Sequence, residues 1–166
     1  MYGLFWPFWK QLEPMRRVSS YTKHVPLPPP DSADLPAGLP SDYVAVRFYF
    51  SGCFPDTPGN RAFVAEAIRT LSAVTHVVLL NTPFAVDDHA DFTVRDNPRV
   101  HTIGHMPPER NLGIQSAIIS GARAFVGTYG GYSYLAPLYG VTSLAFHSNL
   151  TFFAHHLELA QRVFGR

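Results

Sequence analysis

With 166 residues, 46% of them apolar and 15% charged, the chain has material for one substantial core and too little for two. A formal charge of +1, with no basic run beyond Arg16–Arg17, provides no field for a nucleic-acid partner. The single cysteine, Cys53, excludes an intrachain disulfide framework and any cysteine cluster for zinc or iron–sulfur. In its context SGCFP it reads as a small buried or half-buried side chain rather than a nucleophile.

Residues 1–41 read as an arm, not a domain. The opening MYGLFWPFWKQLEPMRR holds Phe5, Trp6, Phe8 and Trp9, is broken by Pro7, and places its basic residues after the apolar stretch. That order is wrong for a secretory signal, no stretch is long enough to span a membrane, and cytoplasmic residence is the default expectation. The aromatic start is read as a cover over the domain, a weak peripheral membrane contact, a surface for a partner, or the remnant of a connection to another domain, with one short helix near Trp9–Met15. Pro26, Pro28, Pro29, Pro30, Pro36 and Pro40 keep residues 25–41 extended.

From residue 42 the pattern is regular. YVAVRFYF, starting at Tyr43, is an almost continuous apolar run and reads as an interior parallel strand, interrupted by Arg47. After the loop SGCFPDTPGN, residues Asn60–Ser72 read as a helix with Phe63, Val64, Ala67, Ile68 and Leu71 on one face. THVVLLN is the second strand, TPFAVDDHADF a polar loop, and RVHTIG a short third strand. A helix capped by Asn111, or by the residues just before it, runs to about Gly121 with Leu112, Ile114, Ile118 and Ile119 inward. ARAFVGT is the fourth strand, Tyr132–Tyr139 a short helix stopped by Gly140, VTSLAF the fifth strand, and Thr151–Phe164 the closing helix. Strands separated by helices of this length predict an α/β domain over residues 42–166. Its expected form is an open parallel Rossmann-like sheet with helices on both faces, preceded by the extended proline-rich arm.

The chemistry concentrates in Phe125–Phe146, FVGTYGGYSYLAPLYGVTSLAF. A strand, a glycine turn and a helix start bring backbone N–H groups to the sheet edge, where a phosphate is accommodated. Gly127, Gly130 and Gly131 do not form GxGxxG, and no GxxxxGK[ST] loop is present, so neither the dinucleotide fingerprint nor a Walker site is supported. What remains is GTYGGYS. The backbone of Gly130, Gly131, Tyr132 and Ser133 supplies candidate diphosphate donors, and Thr128, Tyr129, Tyr132 and Ser133 add hydroxyls. The competing reading is that these hydroxyls cap the helix and satisfy one another, which is strongest for Ser133.

Arg47 carries two readings, an ion pair with Asp56, Asp87 or Asp88, or a bidentate phosphate clamp at a strand end; the second also answers to the glycine turn. Gln115 and Ser116, near the start of their helix, are candidates for a base or ribose contact against a solvent-facing first turn. His105 and Glu109 are weaker candidates for ligand and ribose contacts. His89 with Asp87, Asp88 and Asp91 reads as solvated loop charge rather than a metal cluster, and His155–His156, being adjacent, point to different sides of a helix and do not easily share one metal. No metal is indicated, no HExxH or GxSxG is present, and no acid/base pair emerges, so the catalytic residues stay unassigned.

On these residues the chain resembles the sugar-nucleotide half of GT-B-fold glycosyltransferases, heptosyltransferase-like and fucosyltransferase-like members in particular. The likeness covers roughly Tyr43–Phe164 and rests on element order and one loop. It implies a domain that binds a nucleoside-diphosphate sugar, a GDP-sugar in the fucosyltransferase-like case, as donor substrate without a metal. It places Thr128–Ser133 at the diphosphate, Arg47 of AVRFYF on the donor phosphates, and Gln115 and Ser116 of NLGIQSA near the nucleotide. Such enzymes carry an amino-terminal Rossmann-like domain for the acceptor, where this chain has only the aromatic and proline-rich arm. The expectation is therefore a carboxyl-terminal half whose other half, or a partner chain, supplies the rest. Two alternatives are a non-catalytic nucleotide-binding or protein-interaction scaffold docked through Trp6 and Trp9, and an epimerase or phosphatase relative on the same layout.

Overall fold

A computed structural model describes residues 14–31, 35–80, 90–92, 94, 97–104, 106–149 and 154–164. The chain divides into two compact units, Pro26–Asn149 and a second containing the described residues up to Val25 and from Ala154 on.

The larger unit is the α/β domain. Strand β1, Tyr43–Arg47, is followed by β2, Tyr49–Phe50; helix α2, Pro58–Val74, comes next (α1, Met15–Tyr21, belongs to the other unit). Then follow β3, His76–Leu79; β4, Ala90–Asp91; β5, Val100–Thr102; α3, Pro108–Ser120; β6, Ala124–Thr128; α4, Gly131–Leu138; and β7, Thr142–Phe146. Five strands form a parallel sheet in the order β5-β3-β1-β6-β7. Counted along the chain within that sheet, the order is 3-2-1-4-5, the doubly wound Rossmann-like arrangement.

The alternation of β1 decides which helix covers which face. Tyr43 and Ala45 join Val78, Leu80 and Phe125 in one core with Ile114, Ile118 and Ile119 of α3 and Ala136 of α4. The Tyr43 hydroxyl donates to the Ile118 carbonyl at 2.8 Å, tying strand to helix. The opposite face carries α2, whose Val64 and Ile68 are buried and whose Phe63 ring meets Phe48 and Phe146 at 6.1 and 4.9 Å. Full burial of a side chain such as Phe125 or Ile118 contributes about 2–3 kcal/mol, so the sheet is held mainly by these two layers.

Local signals account for the helix ends. Helix α2 starts at Pro58, earlier than Asn60, because the Thr57 hydroxyl accepts from the Asn60 N–H at 3.1 Å and proline suits the first turn. Helix α3 likewise starts at Pro108, so Asn111 lies inside the helix rather than capping it. Helix α4 closes in a Schellman turn: Gly140 N–H donates to Pro137 O and Val141 N–H to Ala136 O, both at 3.0 Å, with Gly140 at φ 75°.

The run Tyr43–Phe50, expected as one strand, divides. The sheet pairing of β1 ends at Arg47 opposite Gly127, and the chain then turns so that β2 pairs antiparallel with β4. Phe48 sits at the division, fully buried against Phe54, Phe63 and Phe146. The proline-rich stretch has no helix or strand in its described residues, and Leu27 N–H donates to Leu138 O at 2.7 Å.

In the smaller unit, α1, Met15–Tyr21, packs on α5, Ala154–Phe164. Helix α1 was not expected at this position; the helix anticipated near Trp9–Met15 lies almost wholly outside the described residues. The His24 and Phe164 rings meet edge to face at 5.3 Å, and Arg162 pairs with Glu158 one turn earlier at 2.8 Å. Among the described residues no helix is long and apolar enough to cross a membrane.

Candidate functional site

The carboxyl ends of β1 and β6 lie side by side at the centre of the sheet, where the chain's direction of winding reverses. In open α/β sheets this switch point is where ligands bind. Arg47, the last residue of β1, and the turn Tyr129–Gly130 after β6 both sit there. Strand alternation puts Arg47 on the Tyr43–Ala45 face, toward α3 and α4. Its Nη1 donates to the Gln115 Oε1 at 3.2 Å, and its guanidinium lies 4.8 Å from the centre of the Tyr132 ring and 5.7 Å from that of Tyr49. Such stacking contributes about 0.5–2 kcal/mol each, depending on desolvation. The ion pair with Asp56 does not form: Asp56 engages Arg61 through two bonds of 2.5 and 2.6 Å. Asp87 and Asp88 lie outside the described residues.

Several of the expected hydroxyls are taken up by the fold. Thr128 is 1% exposed; its Oγ1 accepts from Tyr49 N–H at 3.1 Å and donates to Tyr49 O at 2.9 Å. It thus replaces the backbone partner that Tyr49 loses where β2 leaves the sheet. Ser133 accepts from Gly130 N–H at 3.1 Å and donates to Gly130 O at 2.7 Å, closing the first turn of α4. The Tyr134 hydroxyl donates to the Tyr129 hydroxyl, and burial pushes the pKa of both phenols up, with their mutual hydrogen bond raising that of Tyr134 further. Cys53 is buried at 1% exposure, its thiol 3.4 Å from Tyr129 O.

The glycines divide by what approaches them. A Cβ on Gly127 would stand 2.1 Å from the Arg47 carbonyl oxygen, so this glycine serves strand contact rather than an anion. A Cβ on Gly130 would meet the Tyr49 hydroxyl, which donates to Tyr129 O at 3.3 Å. Beside Gly131 the space is open, and this residue is exposed at the start of α4. The open part of the turn is therefore Gly131 and the Tyr132 ring over Arg47.

Gln115 and Ser116, expected near the helix start, stand in the middle of α3 and face inward at 0 and 7% exposure, because the helix begins at Pro108. Gln115 Nε2 donates to Asn111 Oδ1 at 2.6 Å. Neither residue occupies the solvent-facing first turn that was the alternative. Glu109 is exposed in the first turn of α3; His105 lies outside the described residues. Asn111 and Tyr49 were missed as members of this site, although two spacings hold the signal: Asn111 and Gln115 are i,i+4 on a helix, and Arg47 and Tyr49 flank the strand end.

Elsewhere, a cleft of about 470 Å³ at the amino edge of the sheet is lined by Ser41, Asp42, His76 and Arg99 among others. Arg99 there donates to the Ala73 carbonyl at 2.9 Å, at the end of α2, and the His76 and His101 rings share a 3.0 Å N···N hydrogen bond. Among the described residues no three His, Cys, Asp or Glu side chains converge on a possible metal position. Compared with protein-family models, with curated proteins and with solved structures, the chain matches none.

Proposed function

We propose that the α/β domain binds the diphosphate of a nucleoside-diphosphate sugar at the switch point, as the donor half of a glycosyl-transfer enzyme. One observation carries the reading: Arg47 ends β1 at the centre of a doubly wound sheet and stacks under Tyr132, in the first turn of α4. A guanidinium and a helix start at one sheet edge are complementary to a diphosphate. In this reading Arg47 and the N–H groups of Gly131 and Tyr132 stabilise the negative charge that develops on the leaving nucleoside diphosphate as the glycosidic bond breaks, since the N–H groups of Gly130 and Ser133 are spent on the Ser133 hydroxyl and the Gly130 carbonyl. Acceptor contacts and the base come from a second domain or a partner chain. A GDP-sugar is the favoured donor on the fucosyltransferase-like resemblance, which includes Arg47 in AVRFYF.

Calorimetric titration of the full chain with GDP, UDP and ADP tests the proposal. Binding of at least one nucleotide is expected, with more than tenfold loss in a folded Arg47→Ala variant. Folded protein that binds none of them, or an Arg47→Ala variant of unchanged affinity, overturns it.

A further inference from the structure

The buried amide of Gln115 has its two ends in different hands. Its Nε2 donates to Asn111 Oδ1 at 2.6 Å, one turn earlier on α3, and its Oε1 accepts from Arg47 Nη1 at 3.2 Å. Rotating the amide by 180° would set its NH₂ against the guanidinium, which has donors only, so the arginine accepts just the oxygen end of Gln115, and Asn111 Oδ1 takes the Nε2 donor on the other side and anchors the amide to α3. Gln115 is wholly buried among the inward residues of α3, between Ile114 and Ile118, and cannot drift away from β1. A completely buried amide is costly unless bonded at both ends, and here both ends are bonded.

We propose that Asn111 and Gln115 form a positioning relay that holds the Arg47 guanidinium in one orientation against the first turn of α4. Gln115 is then a positioning residue rather than a nucleotide contact. This deepens the diphosphate reading, and rests on it only for the consequence on binding. Two chemical points support the assignment. An arginine side chain carries substantial rotamer freedom, and ordering it before a ligand arrives removes that loss from the binding step. A neutral amide oxygen can also orient a cation without adding an opposing charge beside an incoming anion, which a carboxylate at the same place would do.

The test uses the full chain and two readouts. In ligand-free protein, the Arg47 guanidinium N–H resonances, assigned by their disappearance in Arg47→Lys, should be resolved and slow to exchange. In Asn111→Ala and Gln115→Leu they should broaden or collapse to the free-rotation average. In titrations with inorganic pyrophosphate and GDP, the same two variants should weaken binding by roughly two- to tenfold, the entropy of one side chain. Gln115→Glu should weaken it more than Gln115→Leu, because charge opposes the anion while orientation is kept. Asn111→Ala alters only a half-buried side chain and keeps the test intact if the Gln115 variants do not fold. Unchanged Arg47 resonances in Asn111→Ala overturn the relay whatever the titration gives. If wild-type protein binds neither probe while Asn111→Ala still frees the Arg47 signals, the relay stands and the diphosphate reading falls.

Discussion

Replacing Thr128 by valine separates a structural hydroxyl from a ligand-binding one. Valine preserves the shape of threonine and leaves no cavity, so the perturbation is the loss of one oxygen. That oxygen serves two backbone groups, accepting from Tyr49 N–H and donating to Tyr49 O, at a site 1% exposed. Each buried backbone group left without a partner costs about 1–3 kcal/mol. Tyr49 is itself only half-buried, which brings the expected total to about 2–4 kcal/mol. Thr128→Ser keeps both bonds and loses one methyl, for about 1 kcal/mol. In urea, with a slope of about 2 kcal/mol per molar, the midpoint should fall by roughly 1–2 M for valine and roughly 0.5 M for serine. Far-UV circular dichroism follows the transition. A valine variant as stable as the serine variant would refute the idea that this hydroxyl holds the junction of β1 and β2. Wild-type stability together with lost diphosphate affinity would return Thr128 to the ligand site.

Three further outcomes follow from the same geometry. Gly127→Ala should cost about 3 kcal/mol or more in urea unfolding, since the Cβ would stand 2.1 Å from a backbone oxygen inside a paired strand; a loss below about 1 kcal/mol removes that close approach. The phenols of Tyr43, Tyr129 and Tyr134 all have raised pKa values, with burial the main cause. Their contribution to stability is therefore fully present below the unfolded value of about 10 and is lost as pH rises beyond it. Tyr134→Phe should flatten the decline in unfolding free energy between about pH 9 and 11, and an unchanged slope there rejects Tyr134 as a source. Cys53, 1% exposed, should react with a thiol reagent only as fast as the domain opens. Labelling of native protein at the rate of a free thiol would show that the chain segment around Cys53 does not pack as described.

Much of the fold was legible because it follows from one-dimensional periodicity. The apolar run of YVAV dictates a strand covered on both faces, and the 3.6-residue spacing of Val64 and Ile68 dictates which stripe of α2 meets it. Parallel strands joined by helices then leave few arrangements. The candidate site was legible in its address but not in its wiring. Arg47 and GTYGGYS could be assigned to the sheet edge from their places at strand ends, because chain order determines which end of a parallel strand each loop leaves. Which hydroxyls stay available is a matter of partners distant in sequence: Thr128 meets Tyr49, and Gln115 meets Arg47, only when α3 and β6 dock beside β1. The same holds for the division at Phe48, where the sequence reads on as strand and only the packing of Phe54, Phe63 and Phe146 around its ring turns the chain away. Local sequence determined the elements and their inward faces, because those depend on neighbours within a few residues. Tertiary structure decided the partner of each polar atom, because burial makes every hydrogen bond a choice among groups that the chain brings together from afar.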